Sequence, residues 1–237
     1  VEIVAILIYA RTWDTLSPRR HMTIGWIYFL AAWGSLFVIN GILTFMLTPG
    51  EWLTTRNFWD AFWNPSAIPS LVLRTLSCLG LAAVWALFTA SQEEDAVVRE
   101  RLIRYTAKWF FPAFLFLPVA GGWYLASIPE DARLMAMGGA PAVTIFFAAS
   151  CVISVFVFAF AYIGPYRRPL SVSPQFAGVF LVLGLGVTGA AEWVREAVRK
   201  PYIIYEYMYS NSVHVSDVAS IKEKGVLTVA KWARVPK

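Results

Sequence analysis

The sequence predicts an all-α integral membrane protein: an antiparallel bundle of about five full transmembrane helices plus a partial one at the amino end. Three observations carry this. Hydrophobic residues make up 58% of the chain and charged residues only 15%, far from the balance of a soluble domain. The apolar residues gather into repeated runs long enough to cross a hydrocarbon core of about 30 Å. Lys and Arg fall between those runs or after the last one. The net charge of +5 therefore reads as loop charge facing anionic lipid, not as a nucleic-acid footprint along one soluble face.

Taken in order, Val1–Trp13 is apolar but too short to span, so it reads as the end of a helix begun elsewhere. Asp14–Arg20, with Pro18, is a turn. A span from about His21 to Leu47 is stopped by Thr48-Pro49-Gly50. Glu51–Ser66 holds Trp52, Trp59 and Trp63 and reads as an interfacial loop, because indole rings collect at the headgroup level. A second span covers about Ala67–Ala90. Gln92–Lys108 mixes acids and bases and suggests a surface helix, followed by spans at about Trp109–Ser127, Pro141–Gly164 and Pro174–Trp193. The bundle thus occupies residues 1–201, and residues 202–237 form a polar extramembrane tail with room for one short amphipathic helix.

Cys78 and Cys151 each fall mid-span, which argues for packing and against an exposed disulfide; no C-x-x-C-H motif is present to attach a c-type haem covalently. Gly184, Gly186 and Gly189 read as close-packing positions between helices. There is no phosphate-binding glycine loop, no internal repeat of the kind transporters carry, and no histidine placed for a hydrolase triad, since the only histidines are His21 and His214.

The stretch that concentrates chemistry is Gly189–Tyr202, where a long apolar helix turns into charge. On a helical wheel Glu196 lies roughly 40° from Glu192, Arg199 roughly 20° to its other side and Arg195 roughly 60°. Two acids and two arginines thus share one face at a membrane edge, where charge needs an internal partner or an aqueous cavity. Spacing alone favours an interfacial ion-pair ladder; a cofactor or proton site is the other reading. Arg74, one or two turns inside its span, can snorkel outward to an acidic lipid head or meet a cofactor propionate, and the sequence leaves both open. Asn40 needs an interhelical hydrogen bond. His21 and Met46 share a helix face, but 25 positions at about 1.5 Å place them about 37 Å apart, too far to bind one iron.

Two stretches resemble the haem-bearing large subunit of cytochrome bd-type quinol oxidases, a divergent form of its carboxyl-terminal part. One is Trp13-Asp14-Thr15-Leu16, His21-Met22, Asn40 and the exit Phe45–Gly50; the other is Glu196-x-x-Arg199-Lys200-Pro201-Tyr202, which is similar to the family's E-x-G-R-Q-P-W. The resemblance implies that Glu196 ligates or adjoins the iron of a b-type haem, the only metal site it suggests. It further implies that Arg199 steadies that haem, with Glu192, Arg195 and Arg74 as neighbouring cofactor-binding residues.

The departures are equally plain. The family places a haem-ligating histidine about ten residues after an Asn-Pro, whereas Asn64-Pro65 is followed by Leu73-Arg74-Thr75. Its amino-terminal helices and proton-path acids have no counterpart beyond Glu2. Neighbouring membrane subunits are accordingly expected to supply further helices and haem ligands, and the haem to be shared with them.

What the resemblance implies is a subunit of a bacterial respiratory complex in the inner membrane. It would hold haem near the periplasmic face and exchange electrons with quinone or a c-type cytochrome, with oxygen as a further acceptor. The rival is a haem-free subunit that scaffolds other redox subunits. The tail, punctuated by Tyr205, Tyr207, Tyr209, Val226, Leu227 and Trp232, suits docking on an outer partner.

Orientation follows from Arg19, Arg20, Arg99, Arg101, Arg104, Lys108, Arg167 and Arg168, which lie on alternate loops while Arg56 and Arg133 lie on the others. The positive-inside rule puts the first group in the cytoplasm and the tail in the periplasm. A reporter active only in the periplasm, fused after Lys237, is expected to be bright; darkness there, beside a bright cytoplasmic reporter, overturns the topology.

Overall fold

Five helices are long and apolar enough to cross a membrane in the computed structural model, which describes residues 1–199, 202–204, 207–208, 218–224 and 233–234. A short helix α1 (Glu2–Arg11) leads into α2 (Pro18–Phe45); α3 (Trp52–Thr55) and α4 (Phe58–Phe62) break up the Trp-rich loop; then come α5 (Ala67–Ala90), α6 (Ala96–Ser127), α7 (Glu130–Leu134), α8 (Pro141–Ala161) and α9 (Pro174–Arg199). Connections are short, so successive spans run antiparallel. One end of the bundle gathers the Trp-rich loop and the last turns of α9. The other gathers the arginine-rich turns. Large side chains such as Leu30, Ile42, Ile145, Val155, Val179 and Val182 stand exposed around the perimeter, as a multi-pass membrane protein requires and a soluble one avoids.

The boundaries follow local chemistry. Pro18 sits in the first turn of α2, where its missing N–H costs nothing. The α2 exit turns through Gly50, whose φ of 55° is costly for residues with a Cβ. Asp95 caps α6 by accepting from the amides of Val97 and Val98 at 2.8 and 3.1 Å.

Two expectations need correction here. Gln92–Lys108 is not a separate surface helix: from Ala96 it is the first part of one continuous helix, which also runs through Pro112 and Pro118. The reason is packing, since Ile103 on this stretch and Phe110 just after it are buried in one core with Val84, Leu87, Val157 and Phe180. Charge at 92–108 hides that buried stripe from a hydropathy reading. The helix of the last span likewise ends not near Trp193 but at Arg199, so the charged stretch is helical, as its wheel reading expects.

The tail carries the expected short helix, α10 (Val218–Lys224). It also contributes backbone pairs that the sequence did not signal: strands β1 (Tyr202–Ile204), β2 (Tyr207–Met208) and β3 (Ala233–Arg234) pair antiparallel in that order. Tyr205, Tyr209, His214, Val226, Leu227 and Trp232, with Lys200 and Pro201, lie outside the described residues.

Helix pairs meet where small or polar residues allow. Gly184 of α9 faces Leu81 and Val84 of α5, as a close-packing glycine should. Gly186 and Gly189 do not: a Cβ at either meets nothing within 4 Å. Cys78 and Cys151 are free and exposed on span surfaces, not packed inside. Their spans are apolar all round, so composition alone could not tell a core face from a lipid face.

The α2–α5 seam is polar. The Asn40 amide donates to the Ala67 carbonyl at 2.7 Å and its oxygen accepts from the Ser70 hydroxyl at 2.7 Å. Nearby, Asn64 donates to Thr44 at 3.0 Å and accepts from Thr48 at 2.8 Å, while Thr48 also meets Ser66 at 2.5 Å. Asn40→Leu keeps the branching at Cγ and removes both Asn40 bonds. It is expected to lower the unfolding free energy by about 1–2 kcal/mol, read from the denaturant midpoint of the detergent-solubilised protein.

Candidate functional site

The site is built on the last two turns of α9, where i, i+3, i+4 and i+7 spacing stacks Glu192, Arg195, Glu196 and Arg199 on one face. The opposite face is fixed by apolar packing. Val194 and Val198 are buried with Leu47, Ile128, Ala132, Ala136 and Val143, and the Trp193 ring lies 4.6 Å from that of Phe146. With those contacts made, the charged face turns toward α5 and the end of α2.

Arg195 is the hub. Its Nε donates to Glu192 Oε2 at 2.9 Å, and its Nη2 donates to Glu192 Oε1 and Glu196 Oε1, both at 2.6 Å. Only a planar fork with several donors can serve two carboxylates at once. Arg199 Nη2 donates to Glu196 Oε2 at 2.5 Å, so each Glu196 oxygen accepts from an arginine. Arg199 Nη1 meets the Met46 sulfur at 3.0 Å.

Arg74 joins from α5 through Glu192, its Nη2 lying 3.6 Å from Oε1. That is an ion pair, but it lies beyond hydrogen-bond distance. The meeting depends on direction: side chains tilt toward their helix amino end, so Arg74 leans toward the Trp-rich end while Glu192, on the antiparallel α9, leans back toward it.

The structure thus brings all five sequence-predicted residues into one chain of contacts. It adds Met46 as a partner of Arg199. The sequence marks that residue only as part of the α2 exit and sets it aside as an iron ligand with His21; its meeting with a guanidinium 153 positions away is a purely tertiary contact. Its position is held by the α2 exit, where Thr48, Asn64 and Ser66 tie the loop back. His21 is not part of the site. It is buried near the opposite end, its ring 3.9 Å from that of Tyr9 and 4.8 Å from that of Trp13, and neither ring nitrogen has a hydrogen-bond partner.

Burial sorts the charges. The arginine side chains keep 19% (Arg74), 13% (Arg195) and 16% (Arg199) of their surface exposed, while Glu192 keeps 51% and Glu196 34%. Guanidinium groups sit behind and carboxylates in front. Among the described residues three permanent cations face two acids, a surplus of one. Arg74 Nε and Nη2 and Arg199 Nε are buried without a hydrogen-bond partner.

Such a donor set suits a b-type haem chemically, with one hard carboxylate at Glu196 for iron and guanidinium groups for propionates. Glu196 would have to release one of its arginine contacts to ligate. Among the described residues no group of three or more His, Cys, Asp and Glu is assembled to hold a metal ion. Comparison with family models, with curated proteins and with solved structures gives no match.

Arg195→Met leaves Glu192 and Glu196 side by side without their shared partner. It is expected to destabilise the protein by about 1–3 kcal/mol, discounted from the fully buried case because both acids are partly exposed. Thermal unfolding in detergent measures this, and adding Glu192→Gln should recover part of the loss.

Proposed function

We propose that this chain is a membrane subunit of a bacterial respiratory electron-transfer complex, similar to the large subunit of cytochrome bd-type oxidases. In this reading it lies in the inner membrane with its tail in the periplasm. The observation that carries the reading is the joining of Glu196 and Arg199, at motif spacing, to the end of the α2 segment that bears the other half of the resemblance, through Met46.

The residues divide the work as follows. Glu196 offers a carboxylate oxygen to iron. Arg199 pairs with a propionate or with the remaining oxygen of Glu196. Arg195, anchored on Glu192, keeps Glu196 in register when one of its contacts is given up. A bound b-type haem supplies one-electron chemistry. The position of the site at the bundle end leaves it within reach of a carrier at the periplasmic surface, either quinone or a c-type cytochrome docked by the tail, with oxygen as a further acceptor. Neighbouring membrane subunits complete the ligand set, since among the described residues no histidine stands near Glu196.

A second reading has its own observation: both Glu196 oxygens are already occupied by arginines, as in a finished ion-pair ladder. On that reading the subunit is haem-free and scaffolds other redox subunits.

Glu196→Gln keeps the shape and removes the charge, and Arg199→Lys keeps the charge and removes the fork. In the purified complex, haem binding predicts loss of b-type absorbance or a shifted midpoint potential for the first, and roughly tenfold weaker haem retention for the second. An unchanged haem spectrum in both variants leaves only the scaffold.

A further inference from the structure

The surplus cation has a definite location. Arg195 is satisfied by two carboxylates, and Arg199 has Glu196 and Met46, with only its Nε unpartnered. Arg74 has only an ion pair at 3.6 Å, with Nε and Nη2 buried and unpartnered. A guanidinium cannot escape by deprotonation, and one left without an acceptor inside a span costs several kcal/mol. Among the described residues the arrangement therefore lacks one oxyanion beside Arg74.

Where that oxyanion comes from is set by what surrounds the approach. Arg74 lies seven positions after Ala67, about 10 Å along the helix from its start at the Trp-rich end, and its stem leans toward that end. This is the depth at which a snorkelling guanidinium meets the phosphates of a leaflet. One turn deeper on α5 stands exposed Cys78, and beyond it exposed Trp85. On the adjoining face of α9, Gly189 is open and Leu185 is exposed. The way in from the side is apolar. From the water side the half-exposed carboxylate of Glu192 stands in front and repels a free anion.

We infer that Arg74 binds the phosphate of a membrane phospholipid, whose acyl chains lie along the exposed surface of α5 and α9. The lipid neutralises the surplus cation, the exposed Glu192 side chain giving up its 3.6 Å contact with Arg74 while staying in the Arg195 fork. This goes beyond the proposed haem reading and is separable from it, because that reading rests on Glu196 and Arg199 and this one on Arg74.

The test uses the full chain in its complex, purified in mild detergent. Native mass spectrometry counts retained phospholipid in wild type, Arg74→Gln, Arg74→Lys and Glu196→Gln, and a haem spectrum is taken of each preparation. The expected result is about one phospholipid per chain surviving washing in wild type and Glu196→Gln. Arg74→Gln should retain about tenfold less, and Arg74→Lys an intermediate amount because charge without the fork binds more weakly. Wild type without retained phospholipid overturns the inference whether or not any variant folds. So does equal retention in Arg74→Gln, and so does lipid removed from wild type by millimolar inorganic phosphate, which would mark a general anion site. Haem lost from Arg74→Gln with lipid unchanged assigns Arg74 to a propionate instead, and also overturns it. Failure of the haem reading appears separately, as an unchanged spectrum in Glu196→Gln.

Discussion

The Arg195 fork is the interaction on which the tail-side end of the bundle depends. Two carboxylates one turn apart on a membrane helix repel each other and lose hydration together. A single guanidinium bridging both at 2.6 Å turns that liability into a rigid unit. Once Glu192 and Glu196 are held, Arg74 and Arg199 have fixed partners on either side, and α5, the end of α2 and α9 are tied at one level. The apolar contacts of Val194 and Val198 on the reverse of the same helix set its rotation. Without that rotation the four charges would face lipid.

A second polar system supports the first. Asn40, Thr44, Thr48, Asn64, Ser66 and Ser70 are all buried, and each is hydrogen-bonded within the α2–α5 seam or its connecting loop. Their bonds are individually modest in a membrane. Collectively they fix where α2 stops, and hence where Met46 lies under Arg199. The other end of the bundle is held differently, by large apolar side chains. There Phe110 stacks on Phe114 at 4.3 Å, and Phe180 and Phe176 stack at 6.0 Å.

Much of this was legible in the sequence because hydrocarbon imposes a simple rule: spans must be long, apolar and helical. Ala67–Ala90 can be read to the residue, and the shared face of Glu192, Arg195, Glu196 and Arg199 follows from helical period alone. What escaped had physical causes. The charged first part of α6 packs one apolar stripe under a charged surface, which averaging conceals. The tail strands are two or three residues long and pair across intervening chain, so neither alternation nor turn chemistry announces them. Arg74 could be flagged as anomalous but not placed, and Met46 could be named in the α2 exit but not matched to Arg199, since both depend on which helices touch. The glycines divided for the same reason: Gly184 meets a neighbour and Gly186 does not.

The distribution of charge gives the cluster its significance. Between His21 and Phe45, Ala67 and Ala90, Trp109 and Ser127, Pro141 and Ala161, and Pro174 and Ala191, the only charged residue is Arg74. The spans are thus electrically silent apart from one guanidinium, and that guanidinium reaches for Glu192 near the exit of α9. A surplus positive charge at mid-bilayer would cost several kcal/mol. At the end of the bundle the same surplus is tolerable, because headgroups and water lie within a side chain's length. The fold therefore confines the one charge inside these span stretches to the depth where an anionic group can answer it. The electrostatics thus single out the face shared by α5 and α9 at that end of the bundle.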